Sequence, residues 1–176
     1  MKKGWKAMVT FTNARTGKTV SRNDVNNEEF IYEGRPLLVE TDMEGVITYA
    51  NRRFVEISGY EKEDVVGSPH CVHMHPDMPQ SVFKDACEKT SQGKTWSGYI
   101  CNISIVGTGY WTELIIQPKR SEEGSLVGFM ATRRAPNADK LKSVMDEYEE
   151  IKAEGDNKVR SQYCGEVFIG RGACQF

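Results

Sequence analysis

The feature that most restricts the fold of this chain is a run of three β-rich segments with almost nothing between them. Thr95 to Val106, Tyr110 to Arg120 and Ser125 to Arg134 are separated only by Gly107-Thr108-Gly109 and by Ser121-Glu122-Glu123-Gly124. A parallel pair needs a crossover of a dozen or more residues, so connections this short leave antiparallel pairing as a meander. Upstream, Leu37 to Asp42 and Val46 to Ala50 flank Met43-Glu44-Gly45 and read as a hairpin. Between hairpin and meander the pattern turns helical. Asn51 can cap a short helix in which Phe54, Ile57 and Ser58 keep helical spacing before Gly59, and Glu61 to Val66 repeats the pattern up to Gly67.

Asp77 to Gln92 has Pro79 in a first-turn position and Val82, Phe83, Ala86 and Cys87 on one face, which predicts the longest internal helix. After the meander, Pro136-Asn137 opens a last helix, 138 to 154, whose stripe is Leu141, Val144, Met145, Tyr148 and Ile151. The order β-β-α-α-α-β-β-β-α predicts an α+β fold: a five-stranded antiparallel sheet with helices on one face. Residues 1–34, with KAMVTFT, the turn-prone NARTGK and the polar SRNDVNNEE, predict a small hairpin and a flexible joint. The expected division is an N-terminal extension (1–34), a central domain (35–136) and a C-terminal helix with a connector (137–176).

Composition removes several functions. Lys+Arg at 23 against Asp+Glu at 25 gives a net charge of −2, so no basic field is present to attract nucleic acid. The longest apolar stretches, such as Leu126 to Ala131, fall far short of the ~20 residues that span a bilayer, so no membrane insertion is expected. The opening MKKGWKAMVT has no apolar segment behind its lysines, which reads as no secretory signal and a cytoplasmic location. Five cysteines without a CxxC pair fit neither a disulfide framework nor a zinc motif and are expected as reduced thiols.

Chemistry concentrates in Pro69 to Pro79, which holds all three histidines and three prolines. A stiff polar loop beside a small sheet suits the rim of a ligand pocket. The plainer reading is that His75 and Asp77 cap the helix that follows. His70, His73 and His75 lack acidic or cysteine ligands at a recognisable spacing, so no metal is expected, while one histidine ligating haem stays open. On the strand from Thr95, Trp96, Gly98, Ile100, Asn102 and Ser104 share a face. An indole and an amide there can stack on a planar heterocycle and bond its edge, or else be a packed Trp and a solvated Asn. No GxSxG, HExxH, phosphate loop or GxGxxG after a strand occurs, and Cys71 beside His73 or His75 is adjacency only, so no enzyme is expected.

The stretches ITYANRRFVEISGY (47–60), GSPHCVHMHPDMP (67–79), GKTWSGYICN (93–102), Tyr110-Trp111 and GFMATRRAP (128–136) together resemble the flavin-binding PAS sensor of bacterial aerotaxis receptors and energy-taxis proteins. Weaker similarity runs through the last helix into GEVFIGRG (165–172), which resembles the connector of those receptors. The resemblance implies a PAS fold that binds FAD non-covalently and senses its redox state. It assigns flavin binding to Asn51, His70, His75, Asp77, Trp96 and Asn102. Trp96 would line the ring, Asn102 and His70 would bond its polar edge, and His75 and Asp77 would support the loop. The family has an arginine before the His-Pro-Asp stretch where this chain has Met74, and basic residues after Asn102 where it has Ile103-Ser104-Ile105-Val106; FMN therefore stands beside FAD. Photochemical LOV sensing needs a cysteine in an NCRFLQ-like segment; here the chain reads PHCVHMH, and Cys71 is expected to be an ordinary thiol. With no output domain read in the sequence, the implied function is a redox sensor in the cytoplasm, at the membrane only through a partner. It would signal through the helix 138–154 by contact with a membrane-bound chemotaxis transducer, with a homodimer left open. A haem-binding gas sensor and a ligand-free PAS dimerisation module are the alternatives.

Overall fold

The computed structural model describes residues 8–155 of the chain. Strands are β1 (Met8–Thr12), β2 (Thr19–Asn23), β3 (Glu29–Ile31), β4 (Leu37–Thr41), β5 (Ile47–Ala50), β6 (Trp96–Ile103), β7 (Gly109–Arg120) and β8 (Leu126–Arg134). Helices are α1 (Arg52–Ser58), α2 (Lys62–Val65), α3 (Gln80–Ser91) and α4 (Ala138–Ala153), with a 3-10 turn at His70–His73.

The five expected strands form the antiparallel path β5-β4-β8-β7-β6. Their helices α1 to α3 and the 3-10 turn cover one face, as the order of elements predicts. A sixth strand departs from the expectation. Glu29–Ile31 falls in the stretch read as part of the extension and its joint, yet pairs in parallel with Gly109–Trp111 of β7. The reason is geometric: β8 begins to pair with β7 only at Glu113, which leaves the start of β7 open on that side.

Local sequence explains the helix limits. The Asn51 side chain accepts from Phe54 N–H at 2.9 Å and from Leu38 N–H at 3.1 Å, and its amide donates to the Pro36 carbonyl at 3.0 Å. One side chain thus starts α1 and ties it to β4. Gly59 at φ 75° ends α1 in the left-handed region, where a side chain is disfavoured. Phe54, fully buried, anchors α1 on the sheet, worth roughly 1.5–3 kcal/mol for a side chain of that size. The last helix opens the same way, with Asn137 accepting from Lys140 N–H at 3.0 Å.

The N-terminal hairpin is part of the same core, through Phe11 and Val20. Its turn residue Asn13, fully buried, donates to the carbonyls of Asp64 and Val66 at 3.0 and 2.9 Å and accepts from the N–H groups of Arg15 and Thr16. Gly67 makes this approach possible: at φ 97°, a Cβ there would lie 2.4 Å from the Asn13 side-chain oxygen.

Among the strands, β6 is an edge, paired only with β7. Its outward backbone groups are covered rather than exposed. Tyr148 Oη donates to the Tyr99 carbonyl at 2.8 Å, Met78 Sδ accepts from Cys101 N–H at 3.4 Å, and His75 N–H donates to the Cys101 carbonyl at 3.4 Å. Helix α4 therefore lies along this edge and blunts it. Its stripe faces the protein: Leu141 and Tyr148 are buried, and Val144, Met145 and Ile151 pack against the core. The expected connector segment 165–172 lies outside the described residues.

Asn13→Ala removes four part-buried hydrogen bonds, among them the amide donor to the Val66 carbonyl, so it is expected to cost about 2–4 kcal/mol in urea unfolding. Lys18→Ala, which breaks only the exposed ion pair with Asp64, is expected to cost less than about 1 kcal/mol. Equal small losses would show that the hairpin is a detachable appendage.

Candidate functional site

The inner face of the sheet is not filled completely. Between it, α3 and the 3-10 turn lies a cavity of about 90 Å3, walled by apolar side chains such as Val39, Phe83, Ile100, Leu114 and Phe129. Polar groups enter from two sides: His70 and His73 from the turn, and Asn102 and Arg133 from the sheet.

Arg133 is the unusual member. It stands on β8 at 5% exposure, paired in register with Leu114 and Leu37, both buried. Its Nε donates to Asn102 Oδ1 at 2.9 Å, and its Nη1 is buried without a hydrogen-bond partner. Among the described residues no carboxylate forms an ion pair with it. Burial pulls its guanidinium down to about 10, still charged at neutral pH. Asn102 is held in turn: its Nδ2 donates to the Tyr110 carbonyl at 3.1 Å and to Thr112 Oγ1 at 3.0 Å, which turns Oδ1 toward Arg133.

The histidines supply the opposite polarity. His73, 1% exposed, packs edge-on against Phe54 at 5.1 Å, and its Nδ1 lies against the His70 carbonyl. A proton on Nδ1 is required there, so Nε2 is an acceptor; it is buried without a partner. Nδ1 of His70 lies 3.1 Å from the Gly45 carbonyl, which fixes its tautomer in the same way. Burial holds both rings neutral, His70 down to about 4 and His73 well below its usual range, with Arg133 adding to the effect. The cavity thus offers a charged donor and neutral acceptors in an apolar wall, the parts needed to grip a planar heterocycle with both donors and acceptors.

Of the six residues assigned from sequence, His70 and Asn102 line this cavity. Asn51 is placed as the α1 cap described above. Trp96 does not line this cavity but a separate cleft between α3, the start of β6 and α4: its ring lies over Gly98, where a Cβ would come within 2.4 Å of it, and its Nε1 donates to Asp85 Oδ2 of α3 at 2.8 Å. His75 and Asp77 line a separate cavity beside α4, and Asp77 pairs with Lys152 at 3.1 Å; the N-cap position of α3 is Pro79. Two residues that sequence reasoning missed, His73 and Arg133, enter the main cavity instead. Met74 also faces it, bridged to Asn102 in the backbone.

Residues 47–133 match the family model described as the PAS fold, and the strand path β5-β4-β8-β7-β6 with helices over one face is that fold: the chain carries a PAS domain. It is similar to the aerotaxis receptor of Escherichia coli K12, 33% identical over 117 residues, which are 66% of this chain and 23% of the receptor. Biofilm dispersion protein BdlA of Pseudomonas aeruginosa is 31% identical over 51% of this chain and 22% of its own length. The chain therefore spans less than a quarter of the curated relatives it matches. Among solved structures, the light state of the blue-light photoreceptor Aureochrome1 LOV superposes at a TM-score of 0.57 and 21% identity, over 63% of this chain and 89% of that one. The fungal photoreceptor Vivid, as an Ile-to-Val variant, gives 0.51 and 19%, over 55% and 79%. No helix among the described residues is long and apolar enough to cross a membrane.

The neutral histidines set an acid limit on stability. Because the folded His70 sits near 4 and an unfolded histidine near 6.5, the unfolded chain binds the extra proton, and stability falls as pH drops from about 6.5 toward 4. Urea unfolding at pH 7 and pH 5 is expected to show this loss, on the order of 2 kcal/mol for His70 over that interval. His70→Gln should remove that share of the dependence and leave the part due to His73 and His75. A pH-independent midpoint in the unsubstituted protein would contradict the burial of a neutral ring.

Proposed function

We propose that this protein is a redox sensor of the aerotaxis type, which holds FAD non-covalently in the inner cavity of its PAS domain and relays the flavin's redox state to a membrane-bound chemotaxis transducer by contact. It acts as a sensor rather than an enzyme, in the cytoplasm. The observation that carries this reading is the pair of buried groups without partners, Arg133 Nη1 as donor and His73 Nε2 as acceptor, in one apolar cavity. A bound flavin would supply a ring that takes up electrons and a polar edge whose hydrogen bonding changes when it does.

Of this chain's residues, Asn102 orients Arg133, and Arg133 and His73 offer the polar contacts. His70 holds the turn against Gly45. Trp96 ties β6 to α3, which walls the cavity, through its bond to Asp85, while Asn51, His75 and Asp77 hold α1 and the loop in place. The present void, about 90 Å3, is smaller than the roughly 300 Å3 or more usual for a ligand site, so seating the ring requires Met74 and Phe83 to swing aside. Both are unbranched at Cβ and can change rotamer. Met74 is bridged to Asn102 and begins the loop that reaches Asp77, so such a movement is carried toward the Lys152 contact and α4. Helix α4 is the output element in this reading.

His73 Nε2 also favours a second reading, since an unpartnered imidazole nitrogen in an apolar cavity suits haem iron. An absorbance spectrum of the purified protein, followed by identification of the released cofactor, separates the readings. Flavin bands and released FAD are expected; released FMN would correct the cofactor, and a Soret band or no chromophore would overturn the flavin assignment. Trp96→Ala is expected to lower flavin occupancy with the far-UV circular dichroism unchanged, and full occupancy in that variant would remove Trp96 from the site.

A further inference from the structure

The cavity beside α4 has a chemistry of its own. About 190 Å3 in size, it lies between Trp111, the loop from His75 to Pro79 and the last turns of α4. Three side chains from distant parts of the sequence converge on it: Glu29 of β3, His75 of the loop and Cys101 of β6, with one ligand-type atom of each within 4.8 Å of the others.

His75 is 4% exposed, and its Nε2 is buried without a hydrogen-bond partner. Its Nδ1 accepts from Asp77 N–H at 3.1 Å. The Nε2 side is the one turned to the cluster. A Cβ on Gly109 would lie 2.9 Å from Glu29 Cγ, 3.1 Å from Cys101 Sγ and 3.4 Å from His75 Cδ2, the carbon bonded to Nε2. The missing side chain of Gly109 keeps open the point at which the three groups meet.

We propose that Glu29, His75 and Cys101 form a binding site for a borderline divalent cation of the zinc class. The set offers one oxygen, one nitrogen and one sulfur ligand. Hard cations such as magnesium and calcium take oxygen cages, whereas imidazole and thiolate select zinc and its neighbours. Bonds of about 2.0–2.3 Å to a tetrahedral ion place ligand atoms roughly 3.3–3.8 Å apart, so the cluster closes by about 1 Å on binding. Glu29 is steadied for this, since Trp111 Nε1 donates to its Oε2 at 2.9 Å, the kind of support ligating carboxylates have. A fourth position, facing the rest of the cavity, has room for a water.

The protons balance as follows: Cys101 binds as thiolate and its proton goes to solvent, while the ring proton of His75 passes from Nε2 to Nδ1. That second proton meets the Asp77 amide, which must give way. Metal loading therefore disturbs the residue that holds Lys152 of α4. The site stands apart from the inner cavity and does not depend on the flavin reading.

The test is a Co2+ titration of the reduced, chelator-treated full chain. One equivalent is expected to produce a thiolate-to-cobalt charge-transfer band with tetrahedral d–d absorption, both bleached by Zn2+. Cys101→Ser should abolish the charge-transfer band. Glu29→Gln, at an exposed position that the fold tolerates, should weaken binding by about tenfold or more with circular dichroism unchanged. Absence of the band, its persistence in Cys101→Ser, or unaltered affinity in Glu29→Gln would each overturn the proposal.

Discussion

A guanidinium with one neutral side-chain partner and, among the described residues, no carboxylate, buried in an apolar wall, constrains everything around it. Arg133 can stay charged there only because Asn102 accepts from its Nε, and Asn102 can do so only because Tyr110 and Thr112 fix its amide. Those contacts require the register Asn102↔Tyr110 between β6 and β7 and Leu114↔Arg133 between β7 and β8. A one-residue slip of either pair would send a charge or an amide to the wrong face of the sheet. The three-strand meander is therefore both the scaffold and the device that aims the polar groups of the site. Desolvating a cation in this way costs stability, a cost proteins retain where a buried polar group serves a ligand.

The edge of the sheet carries the second constraint. Strand β6 would present free backbone groups to solvent, and Tyr148, Met78 and His75 occupy them. The tilted ring contact of Trp111 with Tyr148, with centroids 6.4 Å apart, and the contact of Lys152 with Asp77 hold α4 against that edge. The loop from Met74 to Asp77 thus touches the inner cavity at one end and α4 at the other. In the proposed function this short path, rather than a long chain of contacts, carries the signal.

Much of this fold was legible from sequence because its local signals agree. Asn51 and Gly59 bound α1 as capping chemistry dictates, and the short turns of the meander permit only one pairing. Strand β3 was not legible, because three residues in a polar stretch carry no periodicity and their strand exists only where β7 is left open. Within the site, His70 and Asn102 were readable from a motif and a strand face. Arg133 was hidden because its segment, Thr132-Arg133-Arg134, reads as a solvated strand end; which of two adjacent arginines turns inward depends on register against Leu114. A signal did exist, since a strand alternating through Phe129 and Ala131 reaches Arg133 next on the same face. Trp96 lies on the expected face, but its ring folds over Gly98 toward α3, a side-chain choice that strand period cannot show.

The central claim is that Arg133 is a ligand-binding cation rather than a packing element. The most direct measurement is the dissociation constant for flavin of the reconstituted protein and of its Arg133→Met variant, with circular dichroism as the control for folding. Loss of a hydrogen bond from a charged donor, about 1.5–3 kcal/mol, predicts affinity lower by roughly 10- to 150-fold with the spectrum unchanged. An unaltered dissociation constant in a folded variant would contradict the account.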